Sequence, residues 1–169
     1  MLAIDSPRGV GLDPARWERA VKLIEAWCTS RQLPAAGICV VRGQKTTGPH
    51  LFGSQTLAAN SPPIRNDAIF LIASITKPIV CMGVLTLVER GQLSLLDRVV
   101  DFIPDFGRNG KYGTEIRHLL THTSGLPDML SENIELRKVH SPLIKFVEGT
   151  CEVTPSFAPG RGVQYQSMG

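Results

Sequence analysis

An α+β chain is predicted by three features of this sequence. A proline-opened amphipathic helix lies near the start, two short β-favouring runs follow it, and an almost wholly apolar helix begins near Ser74. The first helix is marked by Asp13-Pro14, an N-cap followed by proline at the first helical position. Trp17, Val21, Ile24, Trp27 and Cys28 then recur at helical spacing, so residues 14–30 are expected to bury one face. Beyond Leu33-Pro34, residues 36–41 and 49–52 read as an antiparallel hairpin whose strands flank a polar loop, 42–48. Residues 54–67 hold Asn60, Ser61, Pro62, Pro63 and Asn66, a loop composition, and the apolar run 68–73 then leads to Ser74.

From Ser74 to about Arg90 the pattern is helical and nearly all apolar, through Ile79, Val80, Met82, Val84, Leu85, Leu87 and Val88, with Gly91 placed as a C-terminal cap. A helix apolar on every side is expected inside the protein. Proline is tolerated in a first helical turn, so Pro78 independently puts the helix start within a few residues of Ser74. Leu93, Leu95, Leu96, Val99, Val100, Phe102 and Ile103 form a further apolar segment that ends at Pro104. Thr114 is expected to cap a short helix through Thr121, and the more polar stretch 128–150 to cover the surface.

Composition narrows the function classes. With 169 residues, 43% of them hydrophobic, the chain suits one domain or part of a larger one. The net charge of +3 is interspersed, without a basic run that could track phosphates, so nucleic acid is not an expected partner. No basic-then-apolar start and no window of about eighteen apolar residues is present, so no membrane partner and a cytoplasmic location are expected. Cys28, Cys39, Cys81 and Cys151 are scattered without a CxxC pair, and are expected to be reduced core residues rather than zinc ligands or a disulfide framework. His50 and His140 are isolated, so neither a metal nor another cofactor is expected.

The candidate chemistry begins with Ser74 and Lys77. Three residues apart on a helix, they share a face, and the amine can reach the hydroxyl. About one such pair arises by chance in a chain of this length, so context must decide between a nucleophile with its base and an N-cap beside a solvated lysine. A serine hydroxyl attacks well only while a neighbouring base takes its proton. Lys77 can be that base when neutral, which burial in an apolar helix would favour. The helix start also directs free N–H groups towards Ser74, where they could hold an oxyanion. His118, His122 and Ser124 lack a GxSxG elbow and are expected to bond a turn near Gly125.

Three segments supply the context: Phe70-Leu71-Ile72-Ala73-Ser74-Ile75-Thr76-Lys77-Pro78, Ile116-Arg117-His118-Leu119-Leu120-Thr121-His122-Thr123-Ser124-Gly125-Leu126, and Phe157-Ala158-Pro159-Gly160 leading to Tyr165-Gln166-Ser167. In that order they resemble the β-lactamase-related serine hydrolases. This superfamily includes class C β-lactamases, family VIII-type carboxylesterases, acyltransferases, D-amino-acid peptidases and penicillin-binding-protein-like enzymes. The resemblance implies a β-lactamase/transpeptidase-like fold, a helical part beside an antiparallel sheet. It implies that Ser74 is the acyl-forming nucleophile, Lys77 its activating base, Tyr165 a base or proton relay, and Ser167 a substrate-binding residue where class C enzymes carry asparagine. The substrates implied are small esters, lactams or peptides, and the serine in place of asparagine leans towards an ester or peptide.

The same resemblance implies more than these residues contain. The family's third motif, Lys or His followed by Thr or Ser and Gly, lies beyond Tyr165-Gln166-Ser167, as do C-terminal strands and a closing helix. The chain is therefore expected to be the N-terminal portion of one catalytic domain, with 12–67 forming the helix and hairpin and 68–169 the mostly helical part. Little turnover is expected of it alone. A non-catalytic protein of the same fold that binds an acyl ligand, and an unstable truncated product, are the alternative readings.

Overall fold

One helix and five short strands build the first part of the molecule, with Trp17 among its buried residues. In the computed structural model, which describes residues 2–168, strand β1 (Ala3–Ile4) precedes helix α1 (Pro14–Thr29). Asp13 caps that helix as the sequence predicts, its Oδ1 accepting from the Arg16 N–H at 2.8 Å. Trp17 is buried and meets the His50 ring edge-on at 5.4 Å. Val21, Ile24 and Cys28 are half-buried on the same side. Trp27, expected in that stripe, is exposed.

The expected antiparallel pairing is present, with strand bounds shifted from those expected. Strand β2 (Ala35–Ile38) pairs antiparallel with a later strand, His50–Gly53, aligning Ala36 with Phe52. The intervening residues are not the polar loop that their composition suggested. They form β3 (Val41–Arg42) and β4 (Lys45–Thr46), an antiparallel pair that β1 joins in parallel through β4; His50–Gly53 is then β5. Gly43, at φ +59°, opens the two-residue turn between β3 and β4, a conformation suited to tight hairpins. Thr46 and Thr47 are buried there because their hydroxyls are satisfied: Thr46 Oγ1 accepts from the Gly48 N–H and Thr47 Oγ1 from the Val40 N–H, both at 3.1 Å.

These elements belong to one unit, Met1–Leu71; the second unit is Ile72–Gly169. A single 3₁₀ turn, Ala73–Ile75, leads into α2 (Thr76–Glu89). Pro78 lies in the first turn, and Gly91, at φ +67°, ends the helix with its N–H on the Val88 carbonyl at 2.9 Å. The expectation that α2 lies inside the protein is corrected. Ile79, Val80 and Met82 are 58%, 57% and 64% exposed, and none of its residues is buried. An apolar surface creates a drive towards burial but does not contain the residues that would cover it.

The core of the second unit lies elsewhere, at Val99, Phe106, Leu126 and Cys151, flanked by Ile116, Leu119 and Val153. Short turns at Val99–Asp101 and Pro104–Gly107 precede α3 (Ile116–Leu120), α4 (Asn133–Lys138) and α5 (Leu143–Glu152). Glu115, rather than Thr114, is the N-cap residue of α3; Thr114 is buried one position earlier. Leu130 and Thr150 are also buried, so the 128–150 stretch contributes to the interior as well as covering it. Of the four cysteines, all unbridged, Cys151 is buried and Cys39 is exposed, which corrects the expectation of four core residues.

A fully buried lysine closes this unit. Lys111 Nζ donates to the Cys151 carbonyl at 2.9 Å and also to the Val153 carbonyl, 5.6 Å from the centre of the Phe106 ring. Asn109 Nδ2 donates to the Glu152 carbonyl at 2.7 Å, so the 109–111 loop satisfies three consecutive carbonyls at the end of α5. Burial pushes the Lys111 amine below the usual lysine range. Lys111→Met keeps the volume and orphans the buried carbonyls. Urea unfolding followed by far-UV circular dichroism should show a loss of about 1–3 kcal/mol, against about 0–1 kcal/mol for Lys145→Met at the exposed pair with Glu148.

Candidate active site

Ser74 occupies the middle of the Ala73–Ile75 turn, where Ala73 is held at φ +45°. A left-handed alanine is strained by about 1–3 kcal/mol, and the strain sits one residue before the candidate nucleophile. One helical turn on, Lys77 Nζ donates to Ser74 Oγ at 3.3 Å. Tyr165, 91 residues later, donates its hydroxyl to the same Oγ at 2.7 Å. Lys77 Nζ is also 5.0 Å from the centre of the Tyr165 ring. The structure thus brings Ser74, Lys77 and Tyr165 together. Ser167 is engaged elsewhere: its Oγ donates to Asp128 Oδ1 at 2.9 Å and its N–H to the Asp128 carbonyl at 3.0 Å.

Tyr165 is delivered by a returning segment that lies along the 122–128 loop. The N–H groups of Ser156, Gly160 and Gln164 donate to the carbonyls of Gly125, Thr123 and His122 at 2.7, 2.8 and 2.9 Å. Gly125 permits this close approach. It has φ +78°, and a Cβ there would lie 2.1 Å from the Phe157 carbonyl oxygen. Ser124 Oγ accepts from the Leu126 N–H at 3.2 Å and donates to Gln166 Oε1 at 2.9 Å, both residues being buried. His118 Nδ1 accepts the Glu115 N–H at 3.0 Å at the start of α3. Asp128 and Gln166 are the residues that sequence reasoning missed. The signal available for Gln166 was its place between Tyr165 and Ser167.

The electrostatics favour ionisation of the phenol. Tyr165 is held below the usual tyrosine range, first by the Ser74 hydroxyl and then by Lys77, both of which can donate to a phenolate. The low-dielectric surroundings expected for Lys77 are not supplied by α2, whose Ile79 and Val80 face solvent. The arrangement can therefore move a proton from Ser74 to the tyrosine oxygen over one short contact, with the lysine ammonium beside it. A cavity of about 460 Å³ is lined by Asp128, Ser167, Leu130, Phe146 and Met168 among others, and Ser74, Lys77 and Tyr165 are not part of its lining. Among the described residues no cluster of three or more His, Cys, Asp or Glu could hold a metal ion, and no helix is long and apolar enough to cross a membrane.

The sequence profile of the Beta-lactamase family matches residues 17–169. Esterase EstB of Burkholderia gladioli is 40% identical over 120 residues, an alignment covering 61% of this chain and 30% of the esterase. Penicillin-binding protein 4* of Bacillus subtilis is 38% identical over 81 residues, 48% of this chain and 17% of that protein. Among solved structures, EstCE1, a hydrolase with promiscuous acyltransferase activity, superposes with a TM-score of 0.72 at 20% identity, covering 89% of this chain and 44% of that one. A D-amino acid amidase from Ochrobactrum anthropi gives 0.69 at 23% identity, covering 89% of this chain and 41% of that one. These last two likenesses carry the fold. The chain spans less than half the length of each of these four proteins.

The geometry around Tyr165 yields a direct test. With Tyr112→Phe leaving Tyr165 as the single tyrosine, ¹³Cζ-tyrosine NMR should show it deprotonating below the ordinary value of about 10. Ser74→Ala removes the largest cause and should move the transition upward. By linkage, the stabilising effect of this contact on the folded state is present above the unfolded tyrosine value and is lost as pH falls through the lowered folded value.

Proposed function

The chain belongs to the Beta-lactamase family and has the β-lactamase/transpeptidase-like fold, and from that premise we propose that it carries the nucleophilic centre of a serine hydrolase acting on small esters or amides. The observation that carries the reading is the convergence of Lys77 Nζ and the Tyr165 hydroxyl on Ser74 Oγ.

In the proposed reaction Ser74 Oγ attacks the acyl carbon while its proton passes to the Tyr165 oxygen in the phenolate form, which the Ser74 hydroxyl and Lys77 favour. The Lys77 ammonium stabilises that phenolate and keeps it at the serine. As the tetrahedral centre collapses, the bond to the leaving group breaks, and the leaving group takes the proton from Tyr165. The acyl group remains as a seryl ester. Water then attacks the ester, giving one proton to Tyr165 and, through it, to Ser74 as the acid departs. Lys77 thus acts beside Tyr165 as the charge that tunes it. Ser167, whose hydroxyl proton is committed to Asp128, would meet substrate through its oxygen as an acceptor. An ester is the favoured substrate class, supported by the 40% identity to an esterase.

The chain alone is proposed to turn over slowly. Loss of one oxyanion donor typically lowers the rate by about 10²–10³, and the family resemblance implies a second donor on a strand outside these residues. A fluorophosphonate probe should nevertheless form an adduct at Ser74, located by peptide mass spectrometry. Ser74→Ala should form none, and Lys77→Ala or Tyr165→Phe should slow labelling by about 10²–10⁴. Hydrolysis of 4-nitrophenyl butyrate by the 169-residue chain should stay below about 1 s⁻¹, the low end of ordinary enzyme rates. An adduct confined to other residues, or none, would leave a binding protein as the better reading.

A further inference from the structure

His122 is a strained residue for which the proposed chemistry has no direct use. Its φ is +59°, in the left-handed region that a side chain with a Cβ enters only against steric resistance. Such residues persist where the surroundings over-determine them, and they concentrate at functional sites. What surrounds His122 is the tyrosine. The His122 carbonyl accepts the Gln164 N–H at 2.9 Å. Its Nδ1 accepts the Gln166 N–H at a longer 3.4 Å. Its ring meets the Tyr165 ring at 4.8 Å between centres, tilted by 40°. One residue therefore contacts the chain on both sides of Tyr165 and the side chain between them.

We infer that His122 is a positioning residue for Tyr165: its carbonyl and Nδ1 grip the amides of Gln164 and Gln166 on either side of the tyrosine and so hold the phenol at Ser74. The inference rests on the proposed hydrolase reading for its functional meaning, though not for its geometry. The left-handed backbone is what allows carbonyl and imidazole of the same residue to face one extended segment. The grip requires the neutral ring with its proton on Nε2, because a protonated Nδ1 is a donor and would oppose the Gln166 N–H. Lys77, 5.0 Å from the centre of the same phenol ring, supplies the other polar contact that the tyrosine keeps besides Ser74. Ser124 fixes the far side of the segment through buried Gln166, so moving the segment that carries Tyr165 away from Ser74 breaks contacts to two loop residues.

Three substitutions separate the grip from general stability. His122→Gly keeps the left-handed backbone and the carbonyl but removes acceptor and ring. His122→Phe keeps a ring without the acceptor. His122→Asn tolerates the left-handed region and returns an acceptor near the Nδ1 position. In a Tyr112→Phe background carrying ¹³Cζ-tyrosine, the Gly and Phe variants should lose the lowered Tyr165 titration, moving towards about 10. Fluorophosphonate labelling of Ser74 should slow in both by about tenfold or more, in line with losing one general base contact. The Asn variant should retain the parental titration and labelling rate.

The inference is overturned if the Gly and Phe variants titrate like the parent, or if Asn behaves as they do. Loss of the far-UV helix signal in both Gly and Phe would also overturn it, because His122 would then serve the fold rather than the tyrosine. Failure of the hydrolase reading has a different signature: no Ser74 adduct in the parent, with the Tyr165 titration still responding to His122.

Discussion

Three backbone hydrogen bonds, from Ser156, Gly160 and Gln164 to the carbonyls of Gly125, Thr123 and His122, set the position of everything that follows them. They are the constraint through which residues far apart in sequence become neighbours. Ser74 and Lys77 need no such device, since one helical turn already places them together. Tyr165 has no regular element of its own to hold it, and its placement is inherited from the loop against which its segment lies. The short contact between the tyrosine hydroxyl and Ser74 is thus a consequence of backbone pairing more than of any affinity between the two side chains. That explains why Ser124, a polar residue of the loop, is buried and bonded inward to Gln166. A loop that merely connected helices would gain nothing by removing such groups from water.

What the sequence made legible was local. Asp13 and Pro14, Pro78 and Gly91 mark helix ends through steric rules that act within a few residues, and the structure places the ends accordingly. The partnership of Ser74 with Tyr165 was legible through the family resemblance of three ordered segments, since no spacing rule links residues 91 apart. Long-range satisfaction was hidden. Lys111 stands among arginine, asparagine and glycine and reads as a solvated loop lysine. It is fully buried because three carbonyls at the end of α5 converge on its loop. The β3–β4 pair was concealed in the same way, by threonines whose polarity suggests exposure but whose hydroxyls are consumed at short range.

The burial of α2 was misread for the opposite reason. Its apolar residues are real, and the inference from composition to a need for cover was sound. The described residues do not provide that cover, and the relatives and solved structures compared are more than twice as long as the part they share with this chain. Stability of the second unit accordingly rests on a small cluster around Val99, Phe106, Leu126 and Cys151, with the clamp at the end of α5 beside it. The ion pairs contribute less, because their partners lie largely in water, where Coulomb attraction is offset by hydration and side-chain entropy.

Tyr165 is about half exposed while its hydroxyl touches Ser74. In the proposed reaction a proton arriving on that oxygen would have two exits, the leaving group and bulk water. The second exit would make the acylation and deacylation half-reactions independent in their proton inventory: whatever protonation state the first left behind, solvent exchange could restore before the second began. Such a site would have no memory of its previous substrate, and an alcohol or an amine leaving group would present the same starting state to the incoming water.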